Sequence, residues 1–198
     1  ATSDPELPGY LSLVPTQLAT CLDAGGEVLA AMAKLHTILI GGSRLDPTLR
    51  ARAEEAGLHI VESFGMTETC GGCVYDGVPL PGVLVRTLEW DGATRIAIAG
   101  PVLLTRYLAQ DTPFHDELGT RWFISGDTGM IDAGGRLKVM GRADDVIISG
   151  GLNIPPIRVD DALKNVSGVK DAWSVGLDDE KWGQVLSCLV VPEAQTSF

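Results

Sequence analysis

Apolar positions along the chain fall into short blocks that alternate between strand-like and helix-like spacing. Leu11–Val14 is a short apolar run ended by Pro15, and Thr16 stands where it can cap a helix carrying Leu18, Cys21 and Leu22 on one face. After Gly25-Gly26, the residues Val28, Ala31, Met32 and Leu35 recur at helical spacing and predict a second short helix. Thr37–Ile40 predicts a strand that ends in Gly41-Gly42. Asp46-Pro47 then opens a helix through Leu49, Ala53 and Ala56, with Gly57 as its stop. Leu58–Glu62 predicts another strand, running into Ser63-Phe-Gly-Met-Thr-Glu-Thr69. Strand, helix and strand in that order imply a parallel sheet. Ligands of such sheets bind beyond the carboxyl ends of the strands, where the loops Gly41–Ser43 and Ser63–Thr69 both lie.

From about Gly82 the pattern becomes β. Val83–Leu88 and Arg95–Ala99 flank Asp91-Gly92, a hairpin signal. Trp122–Ile124, Gly129–Ile131 and Arg136–Met140 predict further short strands, the last two joined by Asp132–Gly135. These strands suit a small antiparallel or barrel-like unit. After Gly141 the pattern resets: Val146–Ile148 as a strand, Pro155-Pro156 opening a helix with Val159, Ala162, Leu163 and Val166, then strands at Val169–Val175 and Val185–Val191. The expected fold class is α/β plus β, followed by the start of a small α+β domain. At roughly 50 residues that last domain is marginal alone, so it is expected to be cut short after Pro192–Phe198.

A formal charge of -11 argues against nonspecific nucleic-acid binding, which depends on Lys and Arg neutralising phosphates. It leaves room for a single phosphate ligand held by backbone N–H groups and a cation. No apolar run approaches the ~20 residues of a membrane-spanning helix. The N-terminal Ala1–Glu6 lacks the regions of a secretion signal, so a cytoplasmic protein is expected. Cys70 and Cys73 form a C-x-x-C, which raises zinc or redox chemistry. Neither Cys21 and Cys188 nor His36, His59 and His115 supply a matching second ligand pair, and reduced structural thiols are the expectation.

Phe64-Gly-Met-Thr-Glu-Thr69 is the most informative stretch. A glycine after a buried strand lets backbone approach a ligand, and hydroxyls flanking a carboxylate suit a phosphate with Mg²⁺. The same residues also suit a helix N-terminus capped by Thr67 or Ser63, with Glu68 favoured by the helix dipole. On the residues alone both readings stay open.

This stretch resembles the Y/F-G-x-T-E motif of the adenylate-forming enzymes, the superfamily of acyl-CoA synthetases, luciferases and peptide-synthetase adenylation domains. Trp122-Phe-Ile-Ser-Gly-Asp-Thr-Gly129, Gly141-Arg-Ala-Asp-Asp-Val-Ile147, Ser149-Gly-Gly-Leu-Asn-Ile-Pro155 and Val175-Gly-Leu-Asp-Asp-Glu-Lys-Trp-Gly-Gln184 follow in family order and spacing. The resemblance implies that residues 1–143 are the C-terminal part of a large adenylation domain. Within it, 1–81 would be an α/β nucleotide-site half and 82–143 a β-barrel-like unit; 144–198 would be a truncated small domain.

It also implies roles. Gly41-Gly42-Ser43 would pack on adenine, and Phe64, Gly65, Met66 and Thr67 would line the nucleotide site, with Thr67 on the α-phosphate. Glu68 would bind Mg²⁺, Asp127 both ribose hydroxyls, and Arg142 the ribose and phosphate. Thr67, Glu68 and Arg142 are therefore the implied catalytic residues, and ATP, Mg²⁺ and CoA the implied cofactors. Asp144 would be the hinge of the small domain, and Gly150, Gly151 and Asn153 the loop beside the CoA thiol. Without the resemblance, Asp127 reads as a turn former and Gly150-Gly151 as an ordinary turn.

The chain departs from the family where Leu152 and Arg158 stand in place of glutamates. It also contains neither the phosphate loop ending in Lys nor the catalytic lysine of the small domain; Lys181 matches a noncatalytic position. A single electrostatic donor of that kind is worth of order 10²–10³ in rate, so the chain alone is expected to bind nucleotide weakly and turn over negligibly. Thr69-Cys-Gly-Gly-Cys-Val-Tyr-Asp-Gly-Val-Pro-Leu-Pro-Gly-Val83 resembles actinobacterial o-succinylbenzoyl-CoA synthetases, ligases of menaquinone biosynthesis, with Gly71-Gly72 leaving room for an aromatic acyl group. The alternatives are an aryl or medium-chain acyl-CoA synthetase and a non-catalytic nucleotide-binding module. Loss of the N-terminal half is expected to expose an apolar face and favour self-association, or a homodimer.

Overall fold

The computed structural model describes residues 8–193; Ala1–Glu6 and the chain end after Glu193, read above, lie outside the described residues. Strand β1 (Tyr10–Leu13) leads into helices α1 (Pro15–Ala24) and α2 (Gly26–Met32), then β2 (Thr37–Ile40), α3 (Pro47–Glu55) and β3 (Ile60–Met66). Two further strands, β4 (Gly71–Tyr75) and β5 (Val78–Pro79), complete a five-stranded sheet of order β1-β2-β3-β4-β5. β1, β2 and β3 run parallel as expected, while β4 and β5 are antiparallel additions. The sequence does not announce β4 because Gly71 and Gly72 at its start carry no side chains to mark a strand period.

The core of this sheet joins Leu18 of α1, Met32 of α2 and Ala53 of α3 to Ile38, Ile40 and Ile60. Fully burying each large side chain contributes roughly 1.5–3 kcal/mol, which is why these short helices hold. The helix starts differ from expectation in one place. Pro15 takes the first helical position of α1, so Val14 is its N-cap and Thr16 lies inside the first turn. Gln17 folds back instead, its Oε1 accepting the Val14 N–H at 3.1 Å. In α3 the expected cap forms, Asp46 Oδ1 accepting the Thr48 N–H at 2.8 Å.

The second sheet contains β6 (Leu84–Trp90), β7 (Ala93–Ala99), β8 (Phe114–Glu117), β9 (Thr120–Ile131) and β10 (Leu137–Arg142). Its order is β10-β9-β7-β6, with β8 paired to β9. Asp91 and Gly92 have φ of 47° and 75°, the left-handed pair that a two-residue hairpin turn requires. The strands expected at Trp122–Ile124 and Gly129–Ile131 are one strand, β9, running without a break through Ser-Gly-Asp-Thr. Pairing on both sides overrides the local turn preference of Gly126-Asp127.

The third sheet has order β12-β11-β14-β13, from β11 (Ile147–Ser149), β12 (Leu152–Ile154), β13 (Val169–Asp179) and β14 (Gly183–Pro192). Helix α4 (Pro156–Lys164) packs against β13, on which Ala172 and Ser174 are buried. The architecture is thus mixed sheets with few helices. It divides into two compact units: one drawn from Ala1–Thr87, Ala97–Ser125 and Met130–Lys138, the other from Leu88–Ile96, Gly126–Gly129 and Val139–Phe198.

The two helix starts can be told apart by mutation. Asp46→Ala removes a working cap and is expected to lower stability by about 1 kcal/mol. Thr16→Ala removes no cap and is expected to stay within about 0.5 kcal/mol, both read from denaturant midpoints.

Candidate functional site

In the first unit, strand register alone brings the chemistry-bearing segments together. Leu13 pairs with Ile40 and Ile40 with Glu62, so Val14, Gly41 and Ser63 follow the last parallel pairs side by side, Ser63 still within β3. They open a cleft of about 330 Å³, whose lining includes Gln17, Gly42, Gly65, Met66, Gly71 and Gly72. A Cβ on Gly41 would lie 2.5 Å from Ser63 Oγ, and Gly42 has φ +83°, so this wall is backbone by necessity. Ser43 is exposed just beyond it, and strand alternation sends half-buried Phe64 to the face opposite Ser63.

The reversal from β3 into β4 is tighter still. A Cβ on Gly65 would sit 1.9 Å from the carbonyl oxygen of Gly71, a contact no side chain survives. The residues expected as a loop therefore split: Ser63–Met66 continue the strand, and Thr67–Thr69 form a single 3-10 turn. Thr69, not Thr67 or Ser63, ties this turn. Its buried Oγ1 accepts the Met66 N–H at 2.9 Å and lies 2.7 Å from the Gly71 carbonyl, to which it donates. No helix follows, which removes the reading of this segment as an ordinary helix N-terminus. Cys70 leaves the turn exposed with φ 55°, whereas Cys73 is wholly buried at the β3–β4 register shift, where burial pushes its thiol up.

Thr67 is exposed and Glu68 half-buried. The Tyr107 hydroxyl donates to Glu68 Oε1 at 2.5 Å, and the Leu104 N–H donates to the Glu68 carbonyl at 2.8 Å. Tyr107 is pushed up to about 12, first by desolvation and then by its bond to Glu68 and that carboxylate's charge. Tyr107 was missed from the sequence because it stands 39 residues away in a segment without periodicity. Among the described residues no three His, Cys, Asp or Glu side chains converge as a metal cage. One half-buried carboxylate instead fits the way Mg²⁺ is usually held, by one or two carboxylates plus substrate phosphates.

In the second unit, Asp127 lies within β9 and Arg142 ends β10. Arg142 Nη1 is 3.7 Å from Asp127 Oδ1, and its Nη2 is 3.5 Å from Asp144 Oδ2. The Asp127 side chain is 17% exposed against 54% for Arg142, so the acid is fixed and the guanidinium faces solvent. Gly126 makes this possible: a Cβ there would meet Arg142 Nη2 at 2.6 Å. Asp144 sits exposed in the short 3-10 turn Ala143–Asp145 that follows. Gly150 and Gly151, with φ of 58° and 84°, make the two-residue turn of the β11–β12 hairpin. The Gly150 N–H donates to the Trp182 carbonyl at 2.9 Å, and the Trp182 ring occupies the space a Cβ would need. Asn153 is exposed on β12, as are Leu152 beside it and Arg158 on α4.

The sequence matches the AMP-binding enzyme family over residues 6–108. The chain belongs to that family. Among AMP-binding relatives, the probable 2-succinylbenzoate–CoA ligase of Mycobacterium tuberculosis is 41% identical over 187 residues, covering 92% of this chain and 47% of its own length. The 2-succinylbenzoate–CoA ligase of Enterococcus faecalis is 31% identical over 207 residues, covering 95% of this chain and 42% of its own. The chain spans about half the length of the curated relatives it matches. Among solved structures, the o-succinylbenzoate CoA synthetase of Bacillus subtilis, in complex with the acyl-adenylate OSB-AMP, superposes with a TM-score of 0.74 at 29% identity. It is covered over 42% of its length by 96% of this chain. An ATP-bound RpMatB-BxBclM chimera has a TM-score of 0.82 at 24% identity, over 96% of this chain and 42% of its own, a likeness of fold.

Two outcomes follow from the turn. Gly65→Ala is expected to lower stability by about 3 kcal/mol, the upper end for overpacking, in a denaturant titration. In an ultraviolet titration of tyrosinate, Glu68→Gln should move the transition at about 12 downward, because the charge opposing ionisation is gone; Tyr107→Phe should remove it.

Proposed function

We propose that this chain is the C-terminal portion of an ATP-dependent acid–CoA ligase that activates o-succinylbenzoate and transfers it to CoA in menaquinone biosynthesis. The observation that carries this reading is the 41% identity over 187 residues to a probable 2-succinylbenzoate–CoA ligase. In the chemistry proposed, a substrate carboxylate oxygen attacks the α-phosphorus of ATP and pyrophosphate leaves. The thiol sulfur of CoA then takes the acyl group, and AMP departs.

On this reading residues 1–81 are the nucleotide-site half-sheet of a large adenylation domain, 82–143 its β-barrel-like unit and 144–198 a truncated small C-terminal domain. Gly41, Gly42 and Ser43 take the adenine, whose flat ring suits a wall without side chains. Phe64, Gly65 and Met66 frame the turn, and the Thr67 hydroxyl donates to the α-phosphate. Glu68 and the nucleotide phosphates hold Mg²⁺, which supplies charge neutralisation when bound. Asp127, whose Oδ1 lies 3.7 Å from Arg142 Nη1, offers two acceptor oxygens to the ribose diol. The exposed guanidinium of Arg142 is placed to donate to ribose and phosphate oxygens. Asp144, in a short turn between strands, serves as hinge, where a few dihedrals absorb a domain rotation. Gly150, Gly151 and Asn153 approach the CoA thiol, with Gly151 open to close contact while the space beside Gly150 is taken by the Trp182 ring. Gly71 and Gly72, lining the cleft without side chains, leave space for the aromatic acyl group.

The test is pyrophosphate exchange into ATP by the full-length protein, with o-succinylbenzoate compared against benzoate and octanoate. Exchange is expected to be fastest with o-succinylbenzoate; preference for either of the others sinks the substrate assignment. Asp127→Ala should weaken ATP binding roughly 10–100-fold, as expected for losing hydrogen bonds to a charged group.

A further inference from the structure

We propose that Tyr107 is a positioning residue that aims the Glu68 carboxylate at the metal–phosphate site, an inference that rests on the reading of Glu68 as the Mg²⁺-holding residue. Glu68 stands on a single 3-10 turn, between a strand end and the left-handed Cys70. Thr69, the one hydroxyl that ties the turn, is committed to the Met66 N–H and the Gly71 carbonyl.

Orientation comes from a segment remote in sequence. The Tyr107 hydroxyl donates to Glu68 Oε1 at 2.5 Å. Three residues earlier, the Leu104 N–H donates to the Glu68 carbonyl at 2.8 Å, so main chain and side chain are gripped by the same strap. That strap is itself held, because the Tyr107 N–H donates to Thr112 Oγ1 at 2.7 Å. A phenol can donate only one proton, so it fixes Oε1 and leaves Oε2 with the remaining lone pairs for a cation. Carboxylates that ligate metals are commonly restrained this way by an outer hydrogen-bond donor, and loss of that donor weakens the metal without removing its ligand. Tyrosine suits the task better than a charged donor: it orients the carboxylate without neutralising the charge the cation needs.

The test measures Mn²⁺ binding to the full-length protein in the presence of a non-hydrolysable ATP analogue, by the electron paramagnetic resonance of unbound Mn²⁺. Wild type is compared with Tyr107→Phe, Tyr107→Leu and Glu68→Gln. Tyr107→Phe, which keeps the ring, is expected to weaken Mn²⁺ about tenfold with an unchanged unfolding midpoint, and Tyr107→Leu to weaken it at least as much. Wild-type affinity in Tyr107→Phe beside a weakened Glu68→Gln overturns the role of Tyr107 while leaving Glu68 as ligand. Weakening confined to Tyr107→Leu overturns it too, since ring packing would then be responsible. Wild-type affinity in Glu68→Gln overturns the reading of Glu68 from which the inference starts.

Discussion

Where β3 turns back into β4, two stretches of backbone pass so closely that a single methyl group on Gly65 would fall 1.9 Å from the Gly71 carbonyl. That approach governs the local structure on both sides. It forces the reversal into one 3-10 turn, commits the Thr69 hydroxyl to tying that turn, and sets Cys70 in a left-handed conformation. It also displaces the register of β4 so that Cys73 is swallowed into the core. Thr67 and Glu68 are what remains on the outside. A side chain at Gly65 would move all of them together.

The cleft beside this turn forms beyond the carboxyl ends of the paired parallel segments. The parallel pairing of three strands ends at one level, and the residues next in line are Val14, Gly41 and Ser63, the last still within β3. Gly42, Gly65, Gly71 and Gly72 make up half of the remaining lining, beside Ser12, Leu13, Gln17 and Met66. On the reading proposed above, this surface takes the nucleotide by shape rather than by a cluster of charged side chains. A net charge of -11 is compatible with that reading. Long-range repulsion from scattered carboxylates is screened over about 10 Å, whereas the cleft acts at contact.

The second unit follows the same economy with different parts. Gly126 admits the Arg142 guanidinium over β9, and the guanidinium in turn faces the fixed carboxylate of Asp127. Gly150 admits the Trp182 ring, and the Trp182 carbonyl accepts the Gly150 N–H. In each case a glycine is specified by what must lie against it, and in the hairpin by its left-handed turn as well. The exposed ion pair of Arg142 with Asp144 adds little stability, as surface pairs generally do. It leaves the Ala143–Asp145 turn lightly held.

By itself the sequence determined the parallel core, because Leu18, Ile38, Ile40, Ala53 and Ile60 recur at the periods that bury one face of each element. It likewise marked the Asp46 cap, the Asp91-Gly92 hairpin and the motif around Thr67 and Glu68, all of which depend on residues adjacent in the chain. Tertiary structure alone decided the features whose partners are distant. Pairing from both sides carries β9 straight through a Gly-Asp that locally favours a turn. The hydroxyl that reaches Glu68 comes from Tyr107, and neither its spacing nor its neighbours advertise it. Local preferences are worth tenths of a kcal/mol to about one, and can be read in a line of residues; a hydrogen bond between segments 39 residues apart exists only once the chain has closed around it.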